Sequence, residues 1–249
     1  SEKGIALHEE EGGRIFPDSS DAMEIVGALE KALSGITIKT RCRLVSLKKD
    51  GDGFSLTFGN SLTARSDRVL ITTGGAQRGI PFLEGIPTVG SVPSLFSLKI
   101  DDPALQGLMG SSAEVSLRLG GFSSKGPMLI TDWGVSGPSV LKLSSYAARH
   151  LAENSYRDTL HVRWCPSLSE EGIREFLDTS VMGAKKLTST PPGGLSSRLW
   201  AYLVERSGLR GDIRRSELGK KGLSRLCSLL LDDVYTVSGK GPFKEEFVT

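Results

Sequence analysis

Cysteine is scarce in this 249-residue chain: Cys42, Cys165 and Cys227 stand far apart, with no C-x-x-C. Three scattered thiols exclude a disulfide framework and a thiolate zinc site, and point to a reducing compartment. The three histidines, His8, His150 and His161, show no metal-ligand spacing, so no metal centre is expected. Neither sign of charge dominates: 31 basic against 29 acidic side chains leave a net +2. The lysine pairs Lys48-Lys49, Lys185-Lys186 and Lys220-Lys221 are separate and not interleaved with aromatics, which make up 6% of the chain. That balance carries no footprint of a nucleic-acid partner. Long apolar runs are missing too; Leu229-Leu230-Leu231 is typical, so nothing spans a membrane. The acidic stretch Glu9-Glu10-Glu11 has no targeting pattern, and a soluble intracellular protein is expected.

What is present is hydrophobic patterning that changes texture along the chain. Residues 1–20 read as loop. A helix follows, capped by Asp21 with Glu24 three residues on, with Ala22, Ile25, Val26, Leu29, Ala32 and Leu33 on one face. Ile36 and Ile38 read as a strand. Gly51-Asp52-Gly53 and Gly59-Asn60 turn a hairpin around Phe54, Leu56 and Phe58. Val69-Leu70-Ile71 is apolar without alternation, as in a strand covered on both faces, and stops at Thr72-Thr73-Gly74-Gly75. Residues 79–165 read as short strands around one helix over about Pro138 to Leu151. The strands are Leu95/Ser97/Lys99 or Phe96/Leu98/Ile100, then Val115–Leu119, Met128–Ile130 and Leu160–Trp164; together they suggest a small barrel. Residues 166–232 read as helices, the first boxed by Ser167 and Glu170, the second carrying Trp200 and Tyr202 as core. Val234, Tyr235 and Val237 return to strand pattern and would complete the β domain, making the helices an insertion. Three domains are expected: 1–78, 79–165 with 233–249, and 166–232.

Three runs carry candidate chemistry. A glycine pair after a parallel strand brings bare backbone to a phosphate or ribose, which makes Thr73, Gly74 and Gly75 cofactor candidates. Gly13-Arg14-Ile15-Phe16-Pro17 offers a guanidinium fork for a pyrophosphate and a rigid proline ahead of a helix. Thr131-Asp132-Trp133-Gly134-Val135-Ser136-Gly137-Pro138 opens a helix and reads either as an anion site or as a well-packed helix start. Gly134-Val135-Ser136-Gly137 also resembles part of a hydrolase elbow, with Pro138 where glycine is needed.

In this order, the runs resemble the BaiN/YhiN-like family of NAD(P)/FAD-dependent oxidoreductases, which includes aminoacetone oxidase. Gly13–Ser19 is similar to its G-R-(V/I)-F-P-x-S, Thr72–Gly75 to its A-T-G-G, and Thr131–Pro138 to its T-H-W-G-(I/L)-S-G-P. The closing Gly239–Gly241 through Phe247-Val248-Thr249 is similar to the stretch before its last FAD contact, and Pro93–Phe96 is nearer plant and algal members. The resemblance implies a fold of mixed α/β and α+β class. Part of a three-layer FAD-binding domain precedes a small β-barrel with a helical insertion. It implies FAD as cofactor with NAD(P)H as donor, a small-molecule substrate, and a cytoplasmic or plastid-stroma location. It places Arg14 and Pro17 near the flavin, Leu44 near the adenine, Thr73, Gly74 and Gly75 near the nucleotide, and Trp133, Ser136 and Gly137 in the substrate cleft. The family's opening G-x-G-x-x-G turn and its closing Gly-rich stretch have no match here, so a middle portion is expected. Asp132 stands where the family has His, and Ala76–Val92 is shorter than its counterpart. A cofactor-free binding module of the same fold is the alternative.

Overall fold

The computed structural model describes residues 4–10, 13–73, 82–83, 87, 89–178 and 183–242. They fall into two compact units. The first holds an antiparallel hairpin, β1 (Leu7–Glu10) and β2 (Arg14–Pro17), then helix α1 (Ala22–Ala32) and a three-stranded meander, β3 (Leu44–Asp50), β4 (Gly53–Phe58) and β5 (Thr63–Ser66). The meander follows its glycine turns as the sequence predicts. Asp21 caps α1 by accepting the Met23 amide at 2.8 Å.

Four expectations in this unit fail. The segment expected as loop contains β1 and β2; its charged residues mask the strands, because pairing rests on backbone bonds and the opposed Glu10–Arg14 pair, not on burial. Ile36 and Ile38 lie outside any strand, 63% and 61% exposed. No residue of α1 is buried, so its apolar stripe does not face a core. The run Val69-Leu70-Ile71, expected as a buried strand, is irregular with Leu70 88% exposed. Apolar composition alone does not hold a strand without a neighbour to complete its hydrogen bonds, and no described strand pairs with it. Every ladder among the described residues is antiparallel, so the three-layer FAD-type arrangement is not among them.

The second unit is built on a seven-stranded sheet. Its elements are β6 (Leu98–Lys99), α2 (Pro103–Gln106), β7 (Ser112–Leu119), β8 (Phe122–Thr131), β9 (Gly134–Ser136), α3 (Pro138–Tyr146), α4 (Ala148–Glu153) and β10 (Asp158–Arg163). Helices α5 (Glu170–Leu177), α6 (Ser197–Arg206) and α7 (Gly219–Leu231) follow, then β11 (Asp233–Val237) and β12 (Gly239–Lys240). The strand order is β11-β10-β7-β8-β9-β6-β12. The two end strands are consecutive in the chain: β11 pairs β10 at one edge, and β12 pairs β6 at the other. One covalent run thus joins both ends, which forces the sheet to curl, although among the described residues no ladder closes it. Of the two registers open around residue 97, the buried one is Phe96, Leu98 and Ile100. Val115, Leu117 and Leu119 face the same core, each burial worth about 1.5–3 kcal/mol. The helix expected over 138–151 divides at Ala147. Ser169, not Ser167, caps α5, accepting the Gly172 amide at 3.0 Å.

α5, α6 and α7 form a lobe between β10 and β11. Trp200 is fully buried and donates its Nε1–H to the Leu187 carbonyl at 2.8 Å. Arg215 is buried beneath the lobe, donating to the Phe176 carbonyl at 2.6 Å and Thr190 Oγ1 at 2.9 Å, with its guanidinium 4.7 Å from the Phe176 ring centroid. Asp233 ties lobe to sheet: it accepts from Arg206 Nε at 2.9 Å, Trp164 Nε1 at 3.0 Å and the Val234 amide at 3.0 Å. Arg206 also donates to the Val234 carbonyl at 2.8 Å and lies 4.3 Å from the Tyr235 ring centroid.

The Tyr202 and Tyr235 hydroxyls meet at 3.2 Å in this network. Burial pushes the Tyr202 phenol up to about 12 and Tyr235 higher, where the Asp233 carboxylate adds to the effect. A free phenol titrates near 10. Above that pH the unfolded chain binds fewer protons than the folded one, so stability falls as pH rises. Urea midpoints of the intact chain should hold steady to about pH 9.5 and decline between about pH 10 and 12. Tyr202→Phe should flatten part of that decline; an identical decline in the variant would remove Tyr202 as its source.

Candidate functional site

The run Thr131–Pro138 brings together the three predicted cleft residues. β8 ends at Thr131, Asp132 and Trp133 make the turn, β9 returns against β8 and β6, and Pro138 starts α3. Gly134 has φ +148°, and a Cβ there would lie 2.6 Å from the Ile100 nitrogen and nearer still to the Leu98 carbonyl. Gly137 has φ +94°, with its Cβ position 3.0 Å from the Leu129 nitrogen. Both glycines are required by the approach of β9 to its neighbours. Ser139 and Val140 are buried, and Ser139 Oγ donates to the Pro127 carbonyl at 2.8 Å. The start of α3 is therefore packed against β8, as the reading of a well-packed helix start requires.

Ser97 Oγ donates to Ser136 Oγ at 2.7 Å, and the Gly241 amide donates to the Ser97 carbonyl at 2.7 Å. A Cβ on Gly241 would sit 3.0 Å from Ser97 Cβ and 3.2 Å from Trp133 Nε1. Ser97, Trp133, Ser136 and Gly241 thus share one half-buried patch where β6, β9 and β12 meet. Ser97 and Gly241 were not among the predicted site residues. Ser97 lay in a strand whose register was open, and nothing local links Gly241 to a residue more than a hundred positions earlier.

β12 carries a second feature. Lys240 Nζ lies 4.3 Å from the Tyr156 ring centroid, and Tyr156 meets Phe96 edge-on at 5.7 Å. Burial lowers the Lys240 pKa. Ser155 and Tyr156 both adopt left-handed backbone, φ +54° and +59°, and the Tyr156 amide donates to the Leu151 carbonyl at 2.6 Å. Two such residues in succession cost energy that the surrounding packing must offset, and positions of this kind cluster at functional sites. The region offers a flat indole, a hydroxyl pair and a desolvated cation.

The hydrolase reading fails on geometry. Ser136 is paired with Ser97, while His150 Nε2 contacts Asp158 and His161 Nδ1 lies 3.0 Å from Asp232. Neither of these histidines is paired with the hydroxyl as a base. Cys165 is no alternative nucleophile, since burial raises its thiol to about 11. Among the described residues no three His, Cys, Asp or Glu side chains gather as a metal site, and no helix is long and apolar enough to cross a membrane.

The cofactor candidates fall in both units. Arg14 faces Glu10 across the β1–β2 ladder at 3.3 Å, its side chain 66% exposed, and Pro17 is buried at the end of β2. Leu44 opens β3 opposite Phe58, beside a register shift. These belong to the first unit; Thr73, exposed in irregular backbone, belongs to the second. Gly74 and Gly75 lie outside the described residues. Among the described residues, no strand, glycine turn and helix in succession present amides to a pyrophosphate.

The second unit defines a class: a curled antiparallel sheet interrupted before its last strands by a three-helix lobe. A family profile described as HI0933-like protein barrel and H2TH domain matches residues 92–248, and the chain belongs to that family, the BaiN/YhiN-like flavoproteins that the sequence runs resemble. The chain is 34% identical over 160 residues to the ribosomal RNA dihydrouridine synthase of Escherichia coli, covering 57% of this chain and 39% of that protein. It is 30% identical over 164 residues to the protein of that name in Haemophilus influenzae, covering 59% and 41%. It is 26% identical over 250 residues to the 3-dehydro-bile acid delta(4,6)-reductase of Clostridium scindens, covering 92% and 61%. The chain thus spans about two to three fifths of the length of these relatives.

Proposed function

We propose that this chain serves a flavin-dependent reductase that saturates a ring C=C bond conjugated to a carbonyl, with NAD(P)H as the electron source. The relatives' names support this reading: one describes saturation of a nucleobase to dihydrouridine, the other saturation of ring double bonds in a 3-oxo bile acid. FAD supplies the hydride chemistry when bound. The observation that carries the reading is the convergence of Ser97, Trp133 and Ser136 within the stretch that the family profile matches. Trp133 offers a planar wall for a flat ring. The Ser97–Ser136 pair offers a hydrogen bond to the carbonyl oxygen, where negative charge builds as the double bond is attacked.

The test is flavin binding followed by turnover. Adding FAD to the purified protein should quench flavin fluorescence, and the bound flavin, bleached anaerobically by NADH or NADPH, should be reoxidised by a cyclic enone. Ser136→Ala should slow reoxidation by about 10- to 100-fold while leaving flavin binding unchanged. A folded protein that neither quenches flavin nor consumes enone would replace this reading with the cofactor-free binding module.

A further inference from the structure

The net +2 conceals an uneven distribution of charge. Residues 183–231 carry ten basic side chains against three acidic, while the other 200 residues carry 21 basic and 26 acidic. Within the helical lobe, Lys185, Lys186, Arg214, Lys220 and Lys221 are all exposed. The ion pairs that lobe residues make among the described residues involve Arg174, Arg206 and Arg210, not these five.

Their placement is unfavourable in the protein alone. Lys186 and Arg214 oppose each other in an isolated antiparallel bridge, held by the Leu187 amide on the Ile213 carbonyl at 2.9 Å and the Arg215 amide on the Lys185 carbonyl at 3.0 Å. Residues opposed in such a bridge project to the same side, and like charges there repel. Lys220 and Lys221 stand in the first turn of α7, at the positive end of the helix dipole, where cations are disfavoured. That turn holds no acidic residue, and no side chain caps it. Both costs become gains beside a polyanion. Leu187 and Leu218, the leucines within this surface, are buried, so it provides charge without an apolar anchor. A phosphate backbone needs only the charge, whereas an acidic peptide normally docks through buried aromatic or aliphatic anchors as well.

We propose that Lys185, Lys186, Arg214, Lys220 and Lys221 form a surface that binds the phosphate backbone of RNA. The proposal names the molecule that brings the conjugated ring, a pyrimidine base, to the reductase, and so rests on that reading. Binding itself requires neither flavin nor reductant, so the two can fail separately.

The experiment is fluorescence anisotropy with a fluorescein-labelled RNA hairpin of about 20 nucleotides, in several salt concentrations, without flavin. Affinity should fall steeply as salt rises, since each phosphate contact contributes about 0.7–0.9 to the slope of log K against log salt. Reversing Lys186 and Arg214 together (K186E/R214E) should weaken binding by about 10- to 100-fold and lower that slope by about 2. Neutralising Lys220 and Lys221 (K220Q/K221Q), which leaves the bridge untouched, should weaken it in the same direction if α7 folds normally by circular dichroism. Lys48→Gln with Lys49→Gln, on β3 of the other unit, should leave affinity unchanged. Equal affinity in the lobe variants and the intact protein would overturn the assignment. So would preference for polyglutamate or for phosphatidylserine vesicles over the hairpin.

Discussion

Gly134→Ala should cost about 3–5 kcal/mol, enough to unfold the second unit or leave it only marginally stable. The added methyl would meet the Leu98 carbonyl and the Ile100 nitrogen, which are backbone atoms of β6 and cannot rotate aside. The φ of +148° is strained for any residue with a Cβ. β9 would have to leave β6, taking with it the Trp133–Ser136 segment. Urea unfolding followed by tryptophan fluorescence checks this, because Trp133, Trp164 and Trp200 all lie in the second unit. Gly27→Ala is the contrasting case. Gly27 lies inside α1 with nothing within 4 Å of its Cβ position, so alanine should be neutral or stabilising by about 0.5–1 kcal/mol. A Gly134→Ala midpoint within error of the parent would show that β9 does not approach β6 as described.

Arg206→Met should cost about 3 kcal/mol, because it leaves Asp233 buried without its cation. Asp233 is 4% exposed and would keep two neutral donors, Trp164 Nε1 and the Val234 amide. Met fills much of the volume of the arginine stem, so the loss measures the charge and not a cavity. The variant also removes the cation lying over Tyr235. Adding Asp233→Leu to Arg206→Met should recover part of the loss, since removing both charges also removes the penalty for burying one. If the single variant unfolds at the parent's urea midpoint, the pair does not hold lobe to sheet.

Periodicity located much of the second unit correctly, for a physical reason. Val115, Leu117 and Leu119, or Leu160, Val162 and Trp164, alternate because one face of each strand is buried and the other is not, so the pattern is written locally. The same rule misleads where burial is absent. Ile36, Ile38 and Leu70 are as apolar as core residues yet lie in water, and β1 and β2 pair through charged residues that carry no alternation to read. Ser167 and Ser169 are both plausible caps by composition; only the geometry of α5 selects Ser169.

The candidate site divides in the same way. Trp133, Ser136 and Gly137 lie within five residues of one another, so a single run of sequence could point to them. Ser97 and Gly241 join them through the pairing of β6 with β9 and β12, contacts between residues with no local signature. The charge of the lobe is a further instance. Each lysine pair is unremarkable alone, and the bridge between Lys186 and Arg214 joins positions 28 residues apart. By itself the sequence pointed to the family, to the longer strands and helices of the second unit and to the faces those elements bury, while the short α2, β9 and β12 went unread, because hydrophobic period and turn chemistry act over a few residues. Tertiary structure alone decided which apolar runs find partners, why Gly134 must lack a side chain, and which distant hydroxyls and cations meet, because those outcomes depend on strand pairing across the whole unit.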